Sequence, residues 1–179
     1  MRVATWNLWW RFGQWEERAP ALRSALADAK FDICALQEVW HTPDENFAET
    51  LASQLEYEWA FAPSPNPDKW QHKINDDQIG IGNAVLSRWP ILTTETERLP
   101  DGDADDEGRI SLHTRIDTPN GILPFEATHE PSARIDYIFV GMASGAGRCK
   151  PKSSHLFGDS PIDGVWPSDH FGVYVDLHD

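Results

Sequence analysis

Six polar side chains stand at or near the ends of apolar, strand-like runs in this 179-residue chain. They are Asn7 in Thr5-Trp6-Asn7-Leu8, Glu38 in Ala35-Leu36-Gln37-Glu38-Val39, His129 in Ala127-Thr128-His129, Asp136 in Arg134-Ile135-Asp136-Tyr137-Ile138, and the pair Asp169-His170 after Trp166-Pro167-Ser168. A polar group that closes an apolar strand sits at the rim of a sheet, where sites form. Magnesium takes oxygen ligands in near-octahedral geometry and keeps several waters, so one or two carboxylates and a carboxamide suffice to hold it. Histidine suits proton transfer near neutral pH, most of all when a carboxylate fixes its tautomer. Each residue alone has a structural explanation: Glu38 as a cap or surface charge, Asn7 as a turn residue, Asp169-His170 as a turn with a satisfied imidazole.

The elements that would position these groups are legible in outline. Arg2 to Leu8 alternates as a half-buried strand, and Glu16 to Ala29 carries helix formers with Ala and Leu at helical spacing. Ile33 to Leu36 is a short buried strand. Thr42-Pro43-Asp44-Glu45 has the pattern of a capping box and predicts a helix running to about Leu55. Strands follow at Tyr57 to Ala62, Ala84 to Leu86, Ile91 to Leu99 and Arg109 to Asp117, with a Pro-rich loop from Pro63 to Gly80 and an acidic one from Asp101 to Gly108. Asn120-Gly121 turns the chain into Ile122 to Thr128 as a hairpin. Ile135 to Val140 and Phe171 to Leu177 are the last two strands. Two early helices followed mostly by strands predict a layered α/β or α+β sandwich in a single domain spanning residues 1–179.

Taken in order, Ala4-Thr5-Trp6-Asn7-Leu8, Leu36-Gln37-Glu38-Val39, Gly82-Asn83-Ala84-Val85-Leu86-Ser87-Arg88-Trp89-Pro90-Ile91, Arg134-Ile135-Asp136-Tyr137-Ile138 and Ser168-Asp169-His170 resemble the endonuclease/exonuclease/phosphatase superfamily of metal-dependent phosphoesterases. The resemblance implies a four-layer α/β/β/α sandwich of two mixed sheets and a Mg2+- or Mn2+-dependent phosphodiesterase. It makes Glu38 the metal-binding glutamate, with Asn7 and Asp169 beside the metal. His170 becomes the histidine at the scissile phosphate, Asp136 its carboxylate partner and His129 a second active-site histidine. Asn83, Arg109 and Tyr137 are candidates for substrate contact. Asn83 and Arg88 lie in the mid-chain motif and serve as fold markers first.

One segment of that pattern is absent. Family members continue from the Thr-His position through a helix to a strand ending in Gly-Asp-Phe-Asn, whereas here Glu130-Pro131-Ser132-Ala133 leads at once to Arg134-Ile135-Asp136. This reads as an internal deletion near Glu130 that leaves the sandwich incomplete and lowers turnover. Losing a central strand would remove two or three core side chains at roughly 1.5–3 kcal/mol each, so the sequence predicts a weakened fold and a homodimer through an exposed sheet edge. The deletion also keeps open a second reading, a non-catalytic scaffold or phospholigand-binding remnant of the fold.

Composition narrows the substrate. The formal charge is −14, with 29 acidic residues against 15 Lys and Arg, which disfavours a protein that grips long nucleic acid through its phosphates. A small phosphodiester, a nucleotide or a lipid headgroup fits better. No apolar run approaches the roughly 18 residues a membrane span needs, and no signal peptide precedes the first strand. The two cysteines, Cys34 and Cys149, lack metal-ligand spacing, so the expected compartment is the cytoplasm. Nine tryptophans admit a carbohydrate binder, but Trp6, Trp40, Trp89 and Trp166 fall in or beside the motifs, where core and rim packing accounts for them.

Overall fold

Apolar side chains on both sides of the early strands require a layer on each face of their sheet. In the computed structural model, which describes residues 1–99, 108–128, 138 and 150–178, both faces are covered. Strands β1 (Arg2–Asn7), β2 (Ile33–His41), β3 (Glu58–Pro63), β4 (Gly80–Ser87), β8 (Pro151–Phe157) and β9 (Gly172–Leu177) form one sheet in the order β3-β4-β2-β1-β9-β8. Within it β1 and β2 are parallel and the other pairings antiparallel. Strands β5 (Ile91–Arg98), β6 (Ile110–Thr118) and β7 (Gly121–Thr128) form a second sheet, antiparallel throughout its described part, with a tight turn joining β6 to β7.

The alternation along β2 divides the core. Cys34 and Leu36 face helices α1 (Trp15–Ala29) and α2 (Phe47–Leu55), packing with Leu22, Leu26 and Leu51, whereas Ile33 and Ala35 face the second sheet and meet Ile110, Leu112 and Ile116. The described residues thus form an α/β/β stack. Among them no helix covers the outer face of the second sheet, and the expected Ile135 to Val140 strand, Ile138 apart, and most of the Glu130 junction lie outside them. Cys34 is fully buried, and burial pushes its thiol far up, so it behaves as a small hydrophobe.

Two expectations are corrected, and one strand was not anticipated. The helix predicted from Thr42 starts instead at Phe47, with Asn46 as N-cap accepting from the Ala48 N–H at 2.9 Å. Thr42 does accept from the Glu45 N–H at 3.0 Å, but the turn it closes joins the bridge between His41 and Asn46 rather than opening a helix. The Pro-rich loop contains a short helix, α3 (Asp68–Ile74). Strand β8 escaped the sequence reading because it is a largely exposed edge strand, Pro-Lys-Ser-Ser-His, with no apolar alternation. No helix is long and apolar enough to cross a membrane among the described residues.

The sheet is tied across β1 and β9 by Arg2, whose Nε donates to Asp176 Oδ1 at 2.8 Å and whose Nη2 donates to Oδ2 at 3.1 Å. This forked hydrogen bonding holds the Asp176 carboxyl below the usual carboxylate range. A depressed carboxyl stabilises the fold above its unfolded value of about 3.9, and that contribution is lost as pH falls through the lower folded value. Asp176→Asn is expected to remove about 1 kcal/mol, the upper end for a part-exposed pair, and to lower Tm by about 2–4 °C at pH 7. The gap between wild type and variant should narrow as pH falls below about 3.9 and vanish below the still lower folded value; a gap that does not narrow at all on acidification would show that the ion pair is not its source.

Candidate active site

The site begins with a fault in the sheet. Leu36 pairs with Ala84 and Val39 with Gly82, so Gln37 and Glu38 together face the single residue Asn83. The bulge gives Glu38 a left-handed backbone, φ 52°, unusual for a residue with a side chain. Neighbouring β1 reaches this level as well, with Asn7 in register with Gln37. Asn7 Nδ2 donates to Glu38 Oε1 at 2.9 Å, while Asn7 Oδ1 accepts from the Trp9 N–H at 2.8 Å. Backbone bonds from Leu8 N to Gln37 O and from Trp10 N to Glu38 O carry the strand pairing past the end of β1 and fix the loop beside the bulge.

The loop between β8 and β9 delivers the second half. Ser168 is buried; its Oγ donates to Asn7 O at 2.8 Å and accepts from the His170 N–H at 3.2 Å. The buried indole of Trp6 donates to His170 O at 2.8 Å. Gly158, at φ +61°, lies so close to that indole that a Cβ there would stand 2.5 Å from Trp6 Cζ2, so only glycine fits. Asp169 and His170 therefore enter on a pinned backbone, with His170 Nε2 4.0 Å from Asp169 Oδ1.

Arg18 on α1 clamps both halves. Its Nη1 donates to Leu8 O and Pro167 O at 3.0 and 2.8 Å, and its Nη2 to Trp9 O, Trp10 O and Phe12 O at 2.9–3.2 Å. Burial pulls this guanidinium down to about 10, opposed by the negative charges of Asp169 and Glu38. Glu38 is shifted the other way. Burial raises its carboxyl most and the Asp169 charge adds to that, while the Asn7 hydrogen bond and the charges of His170 and Lys73 lower it. Glu38, Asp169 and His170 thus share one electrostatic environment.

Beside Glu38 lies a cleft of about 30 Å3, lined also by Trp70, Asn83 and Arg109, room for a water or two rather than a substrate. Asn83 is buried and donates from Nδ2 to Ile110 O at 3.0 Å and Ala127 O at 3.4 Å, tying the two sheets together under the cleft. Lys73 of α3 lies over the Trp70 ring, 4.3 Å from its centroid. A larger groove of about 500 Å3 lies around Met1, Asp32 and the β6–β7 turn, and none of the candidate metal, catalytic or substrate-contact residues lines it. The convergence of charged groups, rather than size, places the candidate site at Glu38. Among the described residues no three His, Cys, Asp or Glu side chains converge closely enough to cage an ion by themselves.

Asn7, Glu38, Asp169, His170, Asn83 and Arg109 are thus brought to one region from five segments. His129, Asp136 and Tyr137 lie outside the described residues. Arg88 is elsewhere, bonded to Asp32 at 3.1 Å and to Phe31 O. The sequence reading missed Arg18, Ser168 and Lys73. An arginine on the Ala-Leu face of a predicted helix was the available signal for Arg18. Ser168 was hidden inside a quoted motif, and Lys73 inside a stretch read as loop.

The sequence profile of the Endonuclease/Exonuclease/phosphatase family matches residues 4–123, and the chain belongs to that family. Similar solved structures include an endonuclease/exonuclease/phosphatase family protein from Leptotrichia buccalis (15% identity, TM-score 0.71, all of both chains). A second, from Beutenbergia cavernae, has 17% identity and a TM-score of 0.75 over 99% of this chain and 71% of the other. TDP2 from D. rerio, complexed with single strand DNA product, has 15% identity and a TM-score of 0.73 over 100% of this chain and 99% of its own. These likenesses establish the α/β fold with two sheets. No curated protein sequence matches the chain significantly.

Removing Arg18 would leave five backbone carbonyls without their donor. Arg18→Ala is expected to destabilise by roughly 3–5 kcal/mol, lowering Tm by about 10 °C. Arg18→Lys should recover only part, because an ammonium cannot reproduce the planar fork. A thermal melt of Arg18→Ala within 2 °C or so of wild type would contradict the clamp.

Proposed function

We propose that this chain is a phosphodiester hydrolase that works with a divalent cation, Mg2+ or Mn2+, held by Glu38 with Asn7 and Asp169 beside it. The observation that carries the reading is the bulge that aims Glu38, bonded to Asn7, into the region occupied by Asp169 and His170. The residues suit a cation. Burial and Asp169 both disfavour the ionised Glu38 carboxylate, a penalty a bound cation relieves, and Asn7 Oδ1 keeps one lone pair beyond its bond to Trp9. Such a cation, when bound, polarises phosphoryl oxygens and neutralises charge as water attacks in line.

The chain's own groups supply the rest. His170, held through its backbone by Ser168 and Trp6, would donate a hydrogen bond or proton to the phosphate oxygens. Asp136 would fix its tautomer and His129 would act as a second histidine at the phosphate. Asn83, Arg109 and Tyr137 are assigned to substrate contact, and Asn83 does so while anchoring the sheets. The acidic surface favours a small phosphodiester, a nucleotide or a lipid headgroup over a long polyanion. The unpaired, buried Cys34 fits a reducing, cytoplasmic setting.

The missing Gly-Asp-Phe-Asn segment supports one alternative, a phospholigand-binding scaffold without turnover. Groups that act only in the transition state affect rate more than affinity. Hydrolysis of bis-p-nitrophenyl phosphate should therefore be slow but cation-dependent in wild type and lost, by at least about 100-fold, in Glu38→Ala and His170→Ala. Cation-independent turnover, or turnover unaffected by either change, would refute the assignment. Binding of phosphate ligand without turnover at any cation concentration would favour the scaffold.

A further inference from the structure

Two aromatic side chains flank the Asp169-His170 pair and are used by neither the fold nor the chemistry above. Trp166 is 48% exposed and Phe171 43%, and their rings stack on one another, centroids 6.1 Å apart and planes 26° from parallel. Six large apolar side chains are exposed among the described residues. The other four, Trp59, Leu92, Ile122 and Leu156, are scattered over strands β3, β5, β7 and β8, where a single exposed apolar residue needs no explanation. Trp166 and Phe171 instead lie against each other as a patch, and Phe171 directly follows His170.

The backbone that presents the rings is rigid. Pro167, next to Trp166, gives its carbonyl to Arg18 at 2.8 Å; Ser168 is fixed on Asn7; His170, next to Phe171, gives its carbonyl to Trp6 at 2.8 Å. Three tertiary hydrogen bonds within the six residues Trp166 to Phe171 hold a half-exposed aromatic at each end. Such rings lose little conformational entropy when a ligand settles on them, which is the condition for an effective stacking surface.

We propose that Trp166 and Phe171 form a stacking ledge that recognises a planar nucleobase joined to the scissile phosphodiester, making them specificity-determining residues for the site. The inference rests on the phosphodiesterase reading and deepens it by naming the substrate class as nucleoside phosphodiesters. Near-parallel aromatic faces select a flat π system over an alkyl chain. Stacking also supplies affinity without basic side chains, as a chain of net charge −14 requires.

Binding and turnover test this separately. Calorimetry would compare thymidine 5′-monophosphate with 2-deoxyribose 5-phosphate, which lacks the base. Wild type is expected to bind the nucleotide about tenfold more tightly or better, Trp166→Ala to lose most of that ratio, and Trp166→Phe to keep a substantial part. In turnover, kcat/KM for the p-nitrophenyl ester of thymidine 5′-monophosphate should fall about tenfold more in Trp166→Ala than that for methyl p-nitrophenyl phosphate. A wild-type binding ratio near one, or a ratio unchanged in Trp166→Ala, overturns the ledge. Equal losses on the two esters overturn it as well, since they would mean a general disturbance of the site. An intact binding ratio with no wild-type turnover of either ester would sink the phosphodiesterase reading and leave the ledge standing. Both residues are half-exposed, so the variants are expected to fold, and a melt checks it.

Discussion

A buried guanidinium holds together the two loops between which the candidate site lies. Arg18 reaches from α1 to four carbonyls in the segment after β1 and to Pro167 in the segment before β9. Those loops carry Trp9, whose N–H orients Asn7, and the Ser168-Asp169-His170 run. Burying a charge is unfavourable unless its donors are satisfied. Here both terminal nitrogens find carbonyls, although Nε is buried without a partner. The Asp169 and Glu38 charges offset part of the desolvation. The same three charges therefore serve the fold and the site.

Glu38 is the converse case. Its left-handed backbone is strained, its carboxylate is desolvated, and Asp169 repels it. The Asn7 hydrogen bond and the charges of His170 and Lys73 favour its ionised form. Under the proposed reading, a divalent cation beside Glu38 would supply the compensating charge. The bulge that produces the strain also sets two β2 residues against Asn83, so the irregularity, the carboxylate and the sheet-to-sheet tie form one feature.

Much of this was legible beforehand. Strands β1, β3, β4, β5, β6, β7 and β9 and helix α1 followed from strand-like runs, turn signals and helical spacing. Glu38, Asn7, Asp169 and His170 stood out through their place at strand ends and the order of their motifs. The bulge was not legible: Gln37 and Glu38 read as a strand's end, although β2 runs on to His41. The capping-box pattern at Thr42 misled because a Ser/Thr turn and an N-cap share the same hydrogen bond. Arg18 stayed hidden because a sequence does not reveal which carbonyls will converge on one side chain. Trp166 was read as packing, and half of its surface proves to face solvent.

The most direct test of the central claim, one cation site built on Glu38 and positioned by Asn7, is a calorimetric titration with Mn2+. Wild type is predicted to bind one ion per chain. Glu38→Gln, which keeps the shape and removes the charge, is predicted to bind none while melting at or above the wild-type temperature, since the buried, repelled carboxylate is gone. Equal Mn2+ affinity in wild type and Glu38→Gln would contradict the account and move the cation, if there is one, to other residues.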